Sequence, residues 1–98
     1  MRENSFQKKV IDEITKRLPQ AIVLKNDSSY VQGIPDLVIF YRNKYAMLEV
    51  KQSSTANHQP NQDIYIGLFE KWGVFAAFVY PENFTYIMDD LVRYFQKG

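Results

Sequence analysis

At 98 residues the chain has room for one domain with one core, near the lower end of the size at which a single core suffices. Apolar residues make up 46% of it, which excludes a disordered chain, and the lack of cysteine excludes disulfides and thiolate metal sites. A single histidine rules against a His-rich zinc site and leaves oxygen ligands, hence magnesium or manganese, for any metal. The net charge of +1 gives no overall electrostatic grip on nucleic acid, although local basic patches remain open. The N-terminal stretch is polar, and no run nears the ~18 apolar residues of a membrane helix, so a soluble, intracellular (cytoplasmic) protein is expected, with no membrane partner.

Residues 3–18 carry a helical period, with Phe6, Val10, Ile14 and Leu18 recurring every fourth place, and Pro19 stops the helix. Glu3 falls near the middle of that apolar stripe, an odd place for an acid unless it faces a site or favours the positive end of the helix. Ala21 to Leu24 is an apolar run expected to be the first strand, followed by a polar loop, Lys25 to Ser29. Pro35 forces Ile34 into an extended conformation, and Gly33 lets the backbone pass close to a metal or phosphate, or simply turn. Leu37–Tyr41 and Tyr45–Val50 read as the strands of a hairpin joined by Arg42, Asn43 and Lys44. The polar run Gln52 to Gln59 is expected to be a mobile loop leaving the site. Pro60 suits the first turn of a helix over residues 61–71, with Ile64, Leu68 and Phe69 on its buried side and Gly73 ending it. Val74 to Tyr80 reads as a strand buried on both faces, parallel to its neighbour by a crossover. Ile87, Met88, Leu91, Val92 and Phe95 then give a last amphipathic helix.

The charges of the hairpin are what demand an explanation. Asp36 stands at its entrance, and Glu49 and Lys51, two apart on one strand, point to the same face among Met47, Leu48 and Val50. Burying such groups costs several kcal/mol per ion unless they are paired. Two carboxylates and a lysine are best reconciled by a divalent cation between them. The bland reading is a surface hairpin with an exposed Glu49–Lys51 pair.

Gly33-Ile34-Pro35-Asp36 followed by Glu49-Val50-Lys51 resembles the signature of the PD-(D/E)XK nucleases in the G-x-P-D form of VRR-NUC domains. The resemblance covers nearly the whole chain, in the order α-β-β-β-α-β-α. It implies an α/β fold with a restriction-endonuclease-like αβββαβ core, a mixed four-stranded sheet and a C-terminal helix. It implies a Mg²⁺- or Mn²⁺-dependent endonuclease in which Glu3, Asp36, Glu49 and the carbonyl of Val50 hold the metal. Lys51 would orient or deprotonate the attacking water, or form an ordinary salt bridge to Glu49. Glu3-Asn4-Ser5-Phe6-Gln7 matches the family's first-helix pattern, and Pro60-Asn61-Gln62 its later glutamine. Gln62 would bond the attacking water or a phosphate, or else be an exposed helix residue. Gly33, Gln52, Ser53, Asn57 and His58 are the candidate DNA contacts; a lone histidine in such a loop is more often just solvated. Short stand-alone relatives resemble Holliday-junction resolvases and act as homodimers, so branched or four-way-junction DNA is the implied substrate. Two rivals stand beside this: a catalytically silent nucleic-acid- or protein-binding module keeping the fold, and a small structural protein whose acids pair with Arg2, Lys25 or Lys51.

Overall fold

The computed structural model describes residues 3–97, and the side chain of Glu3 and all of Arg2 lie outside the described residues. The elements run α1 (Glu3–Arg17), β1 (Ile22–Lys25), β2 (Leu37–Tyr41), β3 (Lys44–Val50), α2 (Gln62–Lys71), β4 (Phe75–Val79), a 3₁₀ turn (Pro81–Asn83) and α3 (Phe84–Gln96). The four strands form one mixed sheet in the order β1-β2-β3-β4, antiparallel across the first two pairings and parallel between β3 and β4. This is the α/β architecture expected from the order of elements. Among the described residues no helix is long and apolar enough to cross a membrane.

Alternation along the strands gives the sheet two unlike faces. On one, Leu37, Ile39 and Tyr41 of β2 and Ala46, Leu48 and Val50 of β3 meet Phe6, Val10 and Ile14 of α1 and Leu18 just after it. Ile87, Met88, Leu91 and Phe95 of α3 close the same core. Each such aliphatic or aromatic side chain contributes about 1.5–3 kcal/mol on full burial, so this layer holds most of the stabilising area. On the other face α2 lays Ile66 and Phe69 over Val38, Met47 and Ala76. The charged residues of the hairpin lie on this second, thinner side, because Glu49 follows Met47 at the strand period.

Several boundaries differ from expectation for physical reasons. β1 is displaced by one residue, because Lys25 pairs with Leu37 while Ala21 stays outside the ladder. Lys44 belongs to β3, paired with Tyr41, so the hairpin closes through Arg42 and Asn43 alone, with Arg42 at φ 59°. Its ammonium reaches the end of α3, donating to the carbonyls of Tyr94 at 2.9 Å and Lys97 at 2.7 Å. Helix termini leave such carbonyls unpaired, so the lysine works as a cap from a distant strand. Pro60 precedes α2 instead of opening it; Asn61 is the N-cap, in a left-handed conformation with φ 72°. Ile64 is exposed and Ile66 takes its place in the core. Gly73 does end α2, at φ 84°, with Gly73 N–H to Glu70 O (2.9 Å) and Val74 N–H to Phe69 O (2.9 Å), a Schellman closure. β4 is an edge strand, half-buried where a strand covered on both faces was expected.

Candidate active site

The site lies at the end of β3, where the hairpin's charged residues meet the start of α2. Asn26 fixes the approach of Asp36: its N–H donates to Asp36 O (2.7 Å) and its side-chain amide to Pro35 O (2.9 Å). Asp36 and Glu49 then lock across the strands. The Asp36 N–H donates to Glu49 Oε1 at 3.2 Å, and Asp36 Oδ2 accepts from the Val50 N–H at 2.9 Å. An extended residue presents its N–H and C=O to the same side, so the Val50 carbonyl turns toward Asp36 as well. The Val50 side chain points the other way, into the α1–α3 core.

Glu49 and Lys51 are 3% and 5% exposed, which excludes the reading of a solvated surface pair. Their charged atoms are 3.8 Å apart, and Gln62 bridges them. The Gln62 amide N–H donates to Glu49 Oε2 (2.9 Å), while its oxygen accepts from Lys51 Nζ (2.7 Å) and from the Gln59 N–H (2.8 Å). Lys51 Nζ also donates to Asn57 O at 3.1 Å, and its backbone N–H extends the parallel ladder to Val79 O at 2.8 Å. Gln62 is therefore a buried hub and not an exposed helix residue.

Burial, with the Asp36 carboxylate beside it, pushes the Glu49 carboxyl up to about 8, against the opposing pull of the Lys51 ammonium. Two like charges thus compete for one small space. Every buried side-chain nitrogen and oxygen among the described residues has a hydrogen-bond partner. Also among the described residues, no three acidic or histidine side chains converge on one point; Asp36 and Glu49 are a pair. The donor set nonetheless fits a hard divalent cation: two carboxylates that repel each other, with a main-chain carbonyl turned toward them. Glu3, the third acid expected there, opens α1, with its side chain outside the described residues.

A polar cavity of about 610 Å³ opens over these groups, lined by Asp36, Glu49, Lys51 and Gln62 and by Gln52, Ser53 and Asn57 from the loop. Seven of the residues singled out from the sequence therefore meet in one place. His58 does not. Its ring stacks on Phe78 at 4.1 Å between centroids, and Nδ1 sits 2.9 Å from Asp63, on the β4 side of α2. Gly33 is buried against the loop that leads into α2, at φ 87°. A Cβ there would meet Asn61 Cβ at 2.5 Å and Pro60 O at 2.7 Å, so its close approach is to protein backbone.

Residues not anticipated from the sequence also shape the cavity. Glu82 of the 3₁₀ turn accepts from Ser54 N–H (3.2 Å) and Ser54 Oγ (3.1 Å), tying the loop to the far end of β4. These bonds hold the Glu82 carboxyl below its ordinary value, the backbone N–H groups of Glu82 and Ser54 contributing most. Asn26, inside a run of turn-forming residues, and Glu82, next to a proline, give no sequence signal beyond local turns.

Solved structures share this architecture. A VRR_NUC domain protein superposes with a TM-score of 0.76 at 17% identity, covering 100% of this chain and 91% of its own. A second VRR_NUC domain gives 0.64 at 24% identity, with 88% and 92% covered. A Holliday junction resolvase from Archaeoglobus fulgidus gives 0.53 at 17% identity, with 79% and 67% covered. No family model matches the chain, and no curated protein matches it at a significant level. The fold is that of the VRR_NUC domains, the resemblance expected from Gly33, Pro35, Asp36, Glu49 and Lys51.

Proposed function

We propose that the chain is a divalent-metal-dependent endonuclease that hydrolyses phosphodiester bonds in DNA. The single observation that carries the reading is the meeting of Asp36, Glu49, Lys51 and Gln62 in one polar cavity at the end of an otherwise apolar hairpin. Asp36, Glu49 and the Val50 carbonyl would hold Mg²⁺ or Mn²⁺, with Glu3 as a further ligand. Such an ion supplies Lewis acidity, lowering the pKa of a water and offsetting charge on the scissile phosphate. Lys51, held by Gln62 and the Asn57 carbonyl, orients the water and stabilises the charge that builds on the phosphate oxygens. Gln62 keeps Lys51 and Glu49 in register and would hydrogen-bond the attacking water or a phosphate. The polar loop residues Gln52, Ser53 and Asn57 contact the DNA backbone, while Gly33, packed against Pro60 and Asn61, lies behind them. His58 contacts it only from the rim, being turned toward Phe78.

The substrate we favour is branched or four-way-junction DNA, cut by a homodimer. Support comes from the likeness of fold to a protein named as a Holliday junction resolvase. A junction needs paired cuts, which a two-fold enzyme delivers. One observation favours the rival, a silent binding module that keeps the fold: the buried polar atoms of the described residues are satisfied without an ion. A cleavage assay on supercoiled, single-stranded and four-way-junction DNA with magnesium, manganese or EDTA separates them. Metal-dependent cuts that vanish in EDTA and in Glu49→Gln are expected. Binding of DNA with no cleavage under any ion would leave the silent module.

A further inference from the structure

β4 ends one side of the sheet, with β3 as its strand partner. The Val79 carbonyl accepts from the Lys51 N–H, so by strand alternation Phe75, Ala77 and Val79 turn their peptide groups toward β3. Those of Ala76, Phe78 and Tyr80 turn outward. At the far end Asn83 fills this outer edge as a strand residue would. Its side-chain oxygen accepts from the Tyr80 N–H (2.9 Å) and its amide donates to Phe78 O (3.1 Å). The N–H and carbonyl of Ala76 and the N–H of Phe78 have no hydrogen-bond partner among the described residues. Ala76 is 5% exposed, which leaves its two groups little water in place of a partner. Edges of this kind are commonly guarded by a lysine, a proline or a bulge, and Phe75–Val79 has none of them.

Clefts flank this edge on both faces of the sheet. On the α2 side one of about 520 Å³ is lined by Asp63, Ile66, Gly67, Glu70 and Phe78. A Cβ on Gly67 would meet nothing within 4 Å, so the helix leaves that cleft open. On the α3 side one of about 410 Å³ is lined by Phe75, Ala77, Ile87 and Tyr94, with Asp90 ion-paired to Arg93. Glu70 borders both clefts and, among the described residues, takes part in no ion pair.

We propose that an extended segment of a partner protein, basic and apolar residues alternating along it, pairs with this edge as a fifth strand. The side chains of an added strand alternate between the two faces. Basic ones fall on the α2 side, beside Asp63 and Glu70. Apolar ones fall on the α3 side, over Phe75, Ala77 and Ile87. The acids select against DNA, whose phosphates they repel. They also select against the chain's own strands, since β1 and β3 hold one lysine each and β2 and β4 no cationic residue. Ser54 and His58 of the polar loop line the same α2-side cleft, so a bound strand lies beside the loop that covers the candidate active site. The surface itself uses none of Asp36, Glu49, Lys51 or Gln62, and it stands or falls apart from cleavage.

The test uses the intact chain and a fluorescein-labelled heptapeptide, Arg-Val-Arg-Val-Arg-Val-Arg, followed by anisotropy at physiological salt. Binding with a Kd of about 10–100 µM is expected, and N-methylation of the peptide's amides should abolish it. Glu70→Lys, at an exposed position that spares the fold, should weaken binding about tenfold or more. In amide NMR spectra the Ala76 and Phe78 N–H groups should gain protection from solvent exchange when the peptide is added. No binding at about 1 mM peptide overturns the proposal, as does binding that N-methylation or Glu70→Lys leaves unchanged. Equal affinity for Arg-Arg-Arg-Arg-Val-Val-Val, of the same composition, also overturns it, leaving only diffuse attraction of charge. So does protection of Ala76 and Phe78 that grows with concentration of the chain alone, which would give the edge to a second copy.

Discussion

The two faces of the sheet are built from the same strands and divide the work between them. Toward α1 and α3, residues 37, 39, 41, 46, 48 and 50 make a dry layer with no charge in it. Toward α2, the alternate residues run from an apolar pair, Val38 and Met47, to a buried acid and lysine within a few positions. One face carries stability; the other can hold strained electrostatics because the first compensates for it. The lesson is local: Leu48, Glu49 and Val50 are chain neighbours with opposite duties.

If that division holds, substitutions on the two faces should fail in different assays. The largest effect is expected from Lys51→Ala, which should cut kcat by about 10²–10⁴ while calorimetric affinity for manganese is kept. Unchanged turnover would mean the lysine serves only as a counter-ion. Next, Leu48→Ala should lower stability to urea by about 2–5 kcal/mol, with turnover per folded molecule preserved in the cold. A loss below about 1 kcal/mol would deny the α1–α3 face its primacy.

Gly33→Ala tests the join between the faces. Its Cβ would lie 2.5 Å from that of Asn61, so the start of α2 must shift. A destabilisation of about 1–3 kcal/mol is expected, with a loss of cleavage larger than the stability change alone explains. Equal losses in both would reduce the glycine to a turn residue.

The last test is on pH. In the folded protein without divalent ions the Glu49 carboxyl is raised to about 8 from an ordinary 4.5. Between those values the folded state keeps a proton that the unfolded chain releases, so stability present at low pH is lost as pH rises through about 8. Glu49→Gln, which cannot ionise, should gain on the natural chain from pH 5 to pH 9 in EDTA. Urea titrations giving a constant difference across that range would mean Glu49 is not the strained group.

The hairpin and α1 were legible because their signals are local and repetitive. Phe6, Val10, Ile14 and Leu18 mark one stripe, and the two-residue period of β3 alone puts Glu49 and Lys51 together. α2 was less legible because apolar residues occupy positions 64, 65, 66, 68 and 69 almost without a break. Periodicity then selects no face, and Gln62, anchored between Glu49 and Lys51, sets the helix rotation that buries Ile66 and exposes Ile64. Partners far apart in sequence left no trace at all. Lys44 capping α3, Glu82 holding Ser54 and His58 turning to Phe78 each join segments that the fold alone brings together.

The bond between Lys51 and Gln62 closes the polar loop at its stem. Extra residues grafted between Ser54 and Asn57 would lengthen an arc whose feet are already stapled, and each doubling of its length costs only about 0.6 kcal/mol in closure entropy. On the proposed reading, the part that would meet a ligand's shape is thereby separated from the part that would do chemistry. A library of inserts at that point could explore new recognition while the acids and the lysine beneath stay where they are.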